Sequence, residues 1–398
     1  MNILFLYGSV ISPTKGGVQR VTNVLADYFE SNNNIVYFLG LNKSEGDNYH
    51  DDRQFLLPEP PKFYTKRNIH FFQDFIRAHN IDVVINQGGL GKDCSRLANF
   101  SNEFGAKEIS VLHNSPLASI IHFSSSKADK FKKMQLGFLL PLTDIKWVKG
   151  VLLWIYKLKY KAHFKRLCRS SNRVVLLSDK FRDEFSFFVG KNSFQDKISA
   201  ISNPCSFNLG DNYTIGDKEK TLLYVGRIDF MQKRVDLLIQ IWNRMYRDYP
   251  EWKLVIVGDG SDLDKARKMA EKLGTERIYF EGMQKSEPYY ERASIFCMTS
   301  SYEGFAMVLA EAQIYGTVPV AFNSFVSVTD IIKNGESGYL VEPFDEDAYI
   351  NTLSTLMDND EILQSSSRNC VESASQFSLE EIGNQWLELF KSLMIDHE

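Results

Sequence analysis

Short, nearly continuous apolar runs recur through the first half of the chain: "NILFLYG", "IVYFLG", "DVVINQG", "EISVLHN", "RVVLLS" and "KISAIS". Segments with apolar residues at helical spacing lie between most of them. The second half repeats the scheme with "TLLYVGR", "KLVIVGD", "RIYFEG", "IFCMTS", "VPVAF" and "GYLVEP". Strands apolar on both faces, alternating with helices, predict parallel sheets covered on both sides. The expected class is therefore α/β, with two doubly wound, Rossmann-like domains. Ligands of such sheets bind beyond the carboxyl ends of the strands, so two facing sheets predict a cleft between them.

The polar punctuation sets the boundaries. "NPCSFNLGDNYTIGDKEK" (203–220) is rich in Asn, Gly and Asp and reads as the linker. Domains are expected at 1–205 and 206–377. A last segment, 378–398, begins with a capping box of Ser378 and Glu381. It carries Ile382, Trp386, Leu389 and Leu393 as one apolar stripe, which predicts an amphipathic helix packing back on the first domain. At 398 residues, two cores of ordinary size fit this division.

Composition narrows the class. Hydrophobic residues make up 44% and charged residues 24%, as in ordinary globular proteins. The five cysteines are scattered, which argues against a disulfide framework or zinc cluster and for a reducing cytoplasm. "MNILFLYGS" reads as a first strand and not a signal peptide, and no uncharged apolar run reaches the ~20 residues of a membrane span. The net charge of −4 hides a split: residues 1–205 hold 28 Lys+Arg and 18 Asp+Glu (+10), residues 206–398 hold 18 and 32 (−14). Such a split predicts different partners for the two halves.

Four motifs sit at predicted strand ends. In "SVISPTKGGVQRV", Gly16 and Gly17 lead into a helix whose free amides could hold an anion; a plain glycine turn is the alternative. In "YVGRIDFMQKRVDLLIQIW", Arg227 ends a strand and Lys233 stands at a helix start, where a cation opposes the helix dipole. Two cations there suit a diphosphate. "VGDGSDLDKARKMAEKLG" lacks the full glycine spacing of a dinucleotide turn, so Asp259, Asp262 and Asp264 read as helix-start carboxylates. "FDED" (344–347) reads likewise as a cap. The fourth, "SSYEGFAMVLAEAQIYGTVPVAF" (300–322), puts Glu303 at a helix mouth and Glu311 inside an apolar helix. A charge buried there needs a partner.

The run "LLYVGRIDFMQKRVDLLI … LVIVGDGSDL … IYFEGMQ … SSYEGFAMVLAEAQIYGTVPVAF … DIIKNGESGYLVEP" resembles the retaining nucleotide-sugar glycosyltransferases of the GT-B, glycogen-synthase-like "group 1" family. The resemblance is strong over about residues 220–345. It is looser in the amino half, where "GGVQRV", "VLHN", "LLSDKFRDEF" and "ISNP" match in order. It implies a hexosyltransferase whose donor is a nucleotide diphosphate sugar, with UDP the expected nucleotide. Arg227 and Lys233 would hold the diphosphate, and Glu303 would stand by the donor sugar; these three are the expected catalytic residues. Gly304, Phe305 and Ala306 would line the sugar and phosphates, Glu311 would accept from the ribose hydroxyls and Met283 would touch the base. Gly16 and Gly17 would close on the phosphates, and His113 would lie on the acceptor side. In this picture the departing phosphate takes the acceptor's proton on the face where the new bond forms, with no metal and no cofactor. Arg234 and Ala306 stand where the family commonly has glycine, and "NSFVSVTDII" lacks a glycine pair often found there; the donor sugar stays open.

A basic aromatic segment, 127–169, holds twelve Lys/Arg against two Asp, interleaved with Trp, Tyr, Phe and Leu. Cations beside apolar residues predict contact with an anionic membrane surface, with an ordinary packed helix as the alternative. No nucleic-acid recognition motif accompanies it. The expected location is cytoplasmic, peripheral at the inner face of the membrane, and the expected acceptor a cell-surface glycan or lipid-linked glycan. Two rival functions stay open: a GT-B sugar-nucleotide epimerase, and a sugar-nucleotide-binding protein without turnover. Donor consumption with and without an acceptor separates all three.

Overall fold

The computed structural model describes residues 1–13, 16–42, 50–121, 145–207 and 215–395. These form two compact units. One comprises Met1–Leu117, Leu152–Ser206 and the described part of Phe377–Glu398; the other comprises the described residues of Ala118–Val151 and of Phe207–Gln376.

In the first unit the chain runs β1 (Asn2–Ser9), α1 (Gly17–Ser31), β2 (Ile35–Asn42), β3 (Gln54–Leu56), α2 (Lys66–Ala78), β4 (Val83–Asn86), α3 (Lys92–Ala98) and β5 (Lys107–Leu112). After α4 (Ala118–Ile121), which is grouped with the other unit, come α5 (Lys146–Ser170), β6 (Arg173–Leu176), α6 (Phe181–Val189) and β7 (Ile198–Ala200). The first part of the basic segment, 127–144, lies outside the described residues. Helix α5 runs across the boundary between the units at residue 151. The sheet order is β3-β2-β1-β4-β5-β6-β7, and every pair is parallel.

The second unit contains β8 (Glu219–Val225), α7 (Val235–Met245), β9 (Lys253–Val257), α8 (Leu263–Leu273), β10 (Ile278–Gly282), α9 (Glu287–Arg292) and β11 (Ala293–Met298). It continues with α10 (Met307–Ile314), β12 (Val318–Phe322), α11 (Val328–Ile331), β13 (Tyr339–Val341), α12 (Glu346–Asp358) and α13 (Asp360–Ala374). Its sheet, β10-β9-β8-β11-β12-β13, is also wholly parallel. Two doubly wound domains in one chain are the GT-B architecture. All twelve strands expected from apolar runs are present. The added strand, β3, is a three-residue edge element, too short to carry a pattern.

The core of each unit follows from the runs that formed the strands. Leu222, Tyr224, Leu254 and Ile256 bury one sheet face against Leu238, Ile241 and Trp242 of α7. The Trp242 indole donates to Glu276 O at 3.0 Å, so its one polar group is satisfied inside the core. In both sheets the winding direction reverses beside the first strand, between β1 and β4 and between β8 and β11. Such switch points are where open α/β sheets hold ligands.

The last helix, α14 (Leu379–Ile395), belongs to the first unit. Ser378 Oγ caps it by accepting from Glu381 N at 3.2 Å. Its apolar stripe is buried, and Phe390 meets Phe29 of α1 edge-on with ring centroids 5.2 Å apart. Gly383 makes this packing close: a Cβ there would lie 2.2 Å from the Tyr28 ring, whose hydroxyl donates to Asn384 Oδ1 at 2.9 Å. Gly383→Ala should therefore lower stability by about 1–3 kcal/mol, despite alanine's better helix propensity. Denaturant unfolding checks this, and an unchanged or raised midpoint would refute the tight α1–α14 contact.

Candidate active site

At the switch point of the second unit, two loops lie side by side. The loop after β8 (226–234) carries Arg227 and Lys233, and the loop after β11 (299–306) carries Glu303. Backbone and side-chain bonds stitch them together. Ser301 N donates to Gln232 O at 2.7 Å, Gln232 Nε2 donates to Tyr302 O at 3.1 Å, and Thr299 Oγ1 donates to Arg234 O at 2.9 Å. Asp229 Oδ1 accepts from Met231 N (2.8 Å) and Gln232 N (2.7 Å), an Asx turn that shapes the first loop from within. From below, the buried Tyr224 hydroxyl donates to Arg227 O at 2.7 Å.

On this frame Lys233 Nζ meets Glu303 Oε1 at 2.6 Å, with side chains 18% and 10% exposed. Arg227 Nη2 donates to Gln232 Oε1 at 2.7 Å and lies 3.7 Å from Asp229 Oδ2, while 58% of its side chain stays exposed. The three residues expected to be catalytic are thus on adjoining loops. The Lys233 ammonium keeps further N–H donors beyond the one given to Glu303. The exposed guanidinium can fork onto an oxyanion.

Arg234 follows in the left-handed region, φ 51° and ψ 43°, as the residue before α7. This explains why glycine suits the position. Asp236 accepts from its Nε at 3.2 Å and the Phe344 ring lies 5.6 Å from its guanidinium carbon, so the arginine is held by contacts a glycine lacks. The neighbouring "VGDG" run is architectural. A Cβ on Gly258, whose φ is 137°, would lie 1.9 Å from Gly226 O, so glycine lets the β8 and β9 loops touch. Asp262 stands before α8 but does not cap it with its side chain; it accepts from Phe230 N at 3.0 Å and steadies the Arg227 loop instead. Asp345 of "FDED" does cap α12, accepting from Ala348 N at 2.9 Å.

The two glutamates of the fourth motif have different surroundings. Glu311, in the second turn of α10, is 1% exposed, and the Tyr290 hydroxyl donates to its Oε2 at 3.2 Å. A protein group therefore supplies a polar partner for the buried carboxylate. Gly304, Phe305 and Ala306 are buried at the mouth of α10, with Ser327 Oγ donating to Gly304 O at 2.8 Å. Met283 follows β10 and is 75% exposed.

In the first unit, Gly16 takes a φ of 55°, which favours glycine, and Gly17 begins α1. Both lie beside the β1–β4 switch point. His113 follows β5, and its Nε2 bonds Gln87 Oε1, so Nε2 carries the proton. Its Nδ1 is buried and unpaired among the described residues, and burial lowers the ring's pKa to about 4. His113 is neutral at physiological pH. The loop after it is held by Glu184 of α6, whose Oε2 accepts from Ser115 Oγ and, at 3.1 Å, from Leu117 N. Burial raises the pKa of Glu184.

Sequence reasoning passed over Gln232, Tyr290, Gln87 and Glu184. Gln232, Gln87 and Glu184 lie inside the quoted "RIDFMQKR", "DVVINQG" and "LLSDKFRDEF" runs without having been singled out; Tyr290 carried no signal of its own. Among the described residues no three His, Cys, Asp or Glu side chains converge on a point a metal could fill.

Residues 209–377 match the model of the family described as Glycosyl transferases group 1. An uncharacterized glycosyltransferase of Haemophilus influenzae is 31% identical over 194 residues, 48% of this chain and 54% of the relative. A lipopolysaccharide 1,6-galactosyltransferase of Salmonella typhimurium is 33% identical over 178 residues, 42% of this chain and 47% of the relative. The chain spans about half the length of these two curated relatives. The Anabaena protein HepE, solved in complex with UDP and glucose, shares the fold with a TM-score of 0.72 at 17% identity, over 98% of this chain and all of that one.

The neutral His113 has a consequence for pH. Its folded pKa lies below the ordinary 6.5, so the unfolded chain takes up the proton first. Its contribution to stability is fully present above about 6.5 and is lost as pH falls toward about 4. The thermal midpoint of His113→Gln should fall less than that of the wild type between pH 7 and pH 5. Parallel falls would mean that the ring is not held neutral.

Proposed function

Residues 209–377 belong to the group 1 glycosyl transferases, and from that premise we propose that this chain moves a hexose from a nucleotide diphosphate sugar to a glycan. The donor in this reading is UDP-linked, the acceptor is a cell-surface or lipid-linked glycan, and the anomeric configuration is retained without a metal. The observation that carries it is the Lys233–Glu303 pair beside Arg227 at the switch point of the second unit. A departing nucleoside diphosphate gains negative charge as the glycosidic bond breaks. Lys233 and Arg227 are placed to meet that charge, in the role a metal ion has elsewhere.

Glu303 orients Lys233 and offers its remaining acceptor sites to sugar hydroxyls. The diphosphate oxygen takes the proton of the incoming acceptor hydroxyl, so no protein base is needed at that step. The neutral His113 cannot donate a second proton, and its part is positioning on the acceptor side. UDP is the choice of nucleotide because HepE is described in complex with UDP. The surface-glycan acceptor follows the lipopolysaccharide galactosyltransferase relative. Among the described residues no helix is long and apolar enough to cross a membrane. A peripheral location at the cytoplasmic face, on anionic lipid, is supported by α5, which has eight Lys/Arg and no Asp or Glu.

Arg227→Ala and Lys233→Ala should each slow transfer by roughly a hundredfold or more, the usual cost of losing one charge-stabilising donor. Steady-state rates near wild type for both would remove the diphosphate assignment.

Glu303→Ala should hurt turnover of the complete donor while leaving UDP affinity nearly intact. Glu311→Ala should weaken UDP itself, through the ribose contact. Titration calorimetry with UDP, alongside turnover of UDP-glucose, separates the two. Equal and small effects would make the pair structural, with Glu311 serving only Tyr290.

A further inference from the structure

Lys218 is the residue before β8, and its ammonium is surrounded by oxygens from the ends of two helices. Nζ donates to Tyr315 O at 2.7 Å and Glu291 O at 2.8 Å, with Tyr290 O at 3.1 Å and Thr317 Oγ1 at 3.2 Å. An ammonium has three N–H groups, so these four acceptors occupy all of them. Tyr290 and Glu291 lie in the last turn of α9 and Tyr315 follows α10, where carbonyls lack partners within the helix. One cation ties both helix ends together. Burial lowers the Lys218 pKa to about 8, so the amine is mostly charged at neutral pH.

The tied end of α9 carries Tyr290, which is fully buried. Its ring packs against Phe296, Tyr315 and Phe207, with centroids 5.8, 6.1 and 6.1 Å away, and Thr317 Oγ1 donates to its carbonyl. Ring and backbone are thus both held. The hydroxyl they carry donates to Glu311 Oε2 at 3.2 Å. Without that bond, the three side-chain torsions of Glu311 would need ordering before it could hold a ligand. Helix stability does not ask for a carboxylate at 311, since an apolar side chain there would be buried without desolvating a charge.

We propose that Tyr290 and Lys218 are positioning residues of the nucleotide site, and that the Tyr290 hydroxyl makes the site select a ribonucleotide over its deoxy analogue. Tyr290 acts through Glu311, and Lys218 acts through Tyr290. The inference rests on the ribose contact proposed for Glu311 and adds the residues that set it. With one carboxylate oxygen bonded to Tyr290, the orientation of the group is restricted before the nucleotide arrives. Ribose hydroxyls then donate to an acceptor already in place, with little further ordering to offset. A nucleotide without those hydroxyls leaves the buried carboxylate short of donors, which is how a polar site rejects an analogue lacking a hydroxyl.

Titration calorimetry of the full chain with UDP and with 2′,3′-dideoxy-UDP tests this. The wild type should prefer UDP by roughly tenfold or more. Tyr290→Phe keeps the ring and removes the donor, so UDP affinity should fall by roughly fivefold while dideoxy-UDP affinity stays the same. Lys218→Met should erode the preference in the same direction. The double variant should be no less selective than Tyr290→Phe alone, because the two residues act in series. A preference that survives Tyr290→Phe would overturn the proposal. So would equal losses for both nucleotides, the mark of a merely structural role. If Lys218→Met does not fold, Tyr290→Phe still decides. Equal affinities in the wild type would instead sink the ribose contact of Glu311, and this inference with it; the two preceding failures leave that contact standing.

Discussion

The candidate site depends on the lateral contact of two loops, those that leave β8 and β11. These strands are parallel neighbours at the point where the strand order reverses, so a crevice opens beyond their carboxyl ends. That topology alone would leave two floppy loops. Ser301 N, Gln232 Nε2 and Thr299 Oγ1 bind one to the other, and the Gly226–Gly258 approach fixes the first loop against β9. With the backbone so constrained, Lys233 and Glu303 can hold a 2.6 Å pair without ordering two long side chains from scratch.

The same economy of position appears in the first unit. Burial lowers the pKa of His113 to about 4 and raises that of Glu184, and each is hydrogen-bonded to the loops around it. Part of the first unit's positive charge is on the outer face of α5, where Lys161, Arg166 and Arg169 are exposed. The positive balance of the first half and the negative balance of the second thus have different physical expressions. One includes the exposed cations Lys161, Arg166 and Arg169 of α5; in the other, the cations at the candidate site are matched by Asp229, Asp236 and Glu303.

Some features were legible because they are local. Twelve strands announced themselves as apolar runs, the Ser378 cap needed only its spacing to Glu381, and Asp345 needed only its place before a helix. Arg227, Lys233 and Glu303 could be singled out from strand ends and helix starts. Asp262 is at a helix start, as read, but its bond to Phe230 N, 32 residues away, could not be foreseen. Glu311 was recognised as a buried carboxylate needing a partner, but no pattern identified Tyr290 as a group that supplies one.

Periodicity and strand-end chemistry by themselves determined the α/β class, the order of the elements and the residue types offered at the loops, since backbone preference and apolar spacing act over a few residues. Tertiary structure decided which of those residues meet. It gave Arg234 a left-handed backbone with Asp236 and Phe344 to hold it, and it buried Glu311 against Tyr290. It also made residues 146–170 a helix whose outer face is apolar at one end and cationic at the other. Burial and pairing are set by contacts between segments far apart in the chain, and those distances are written only in the folded state.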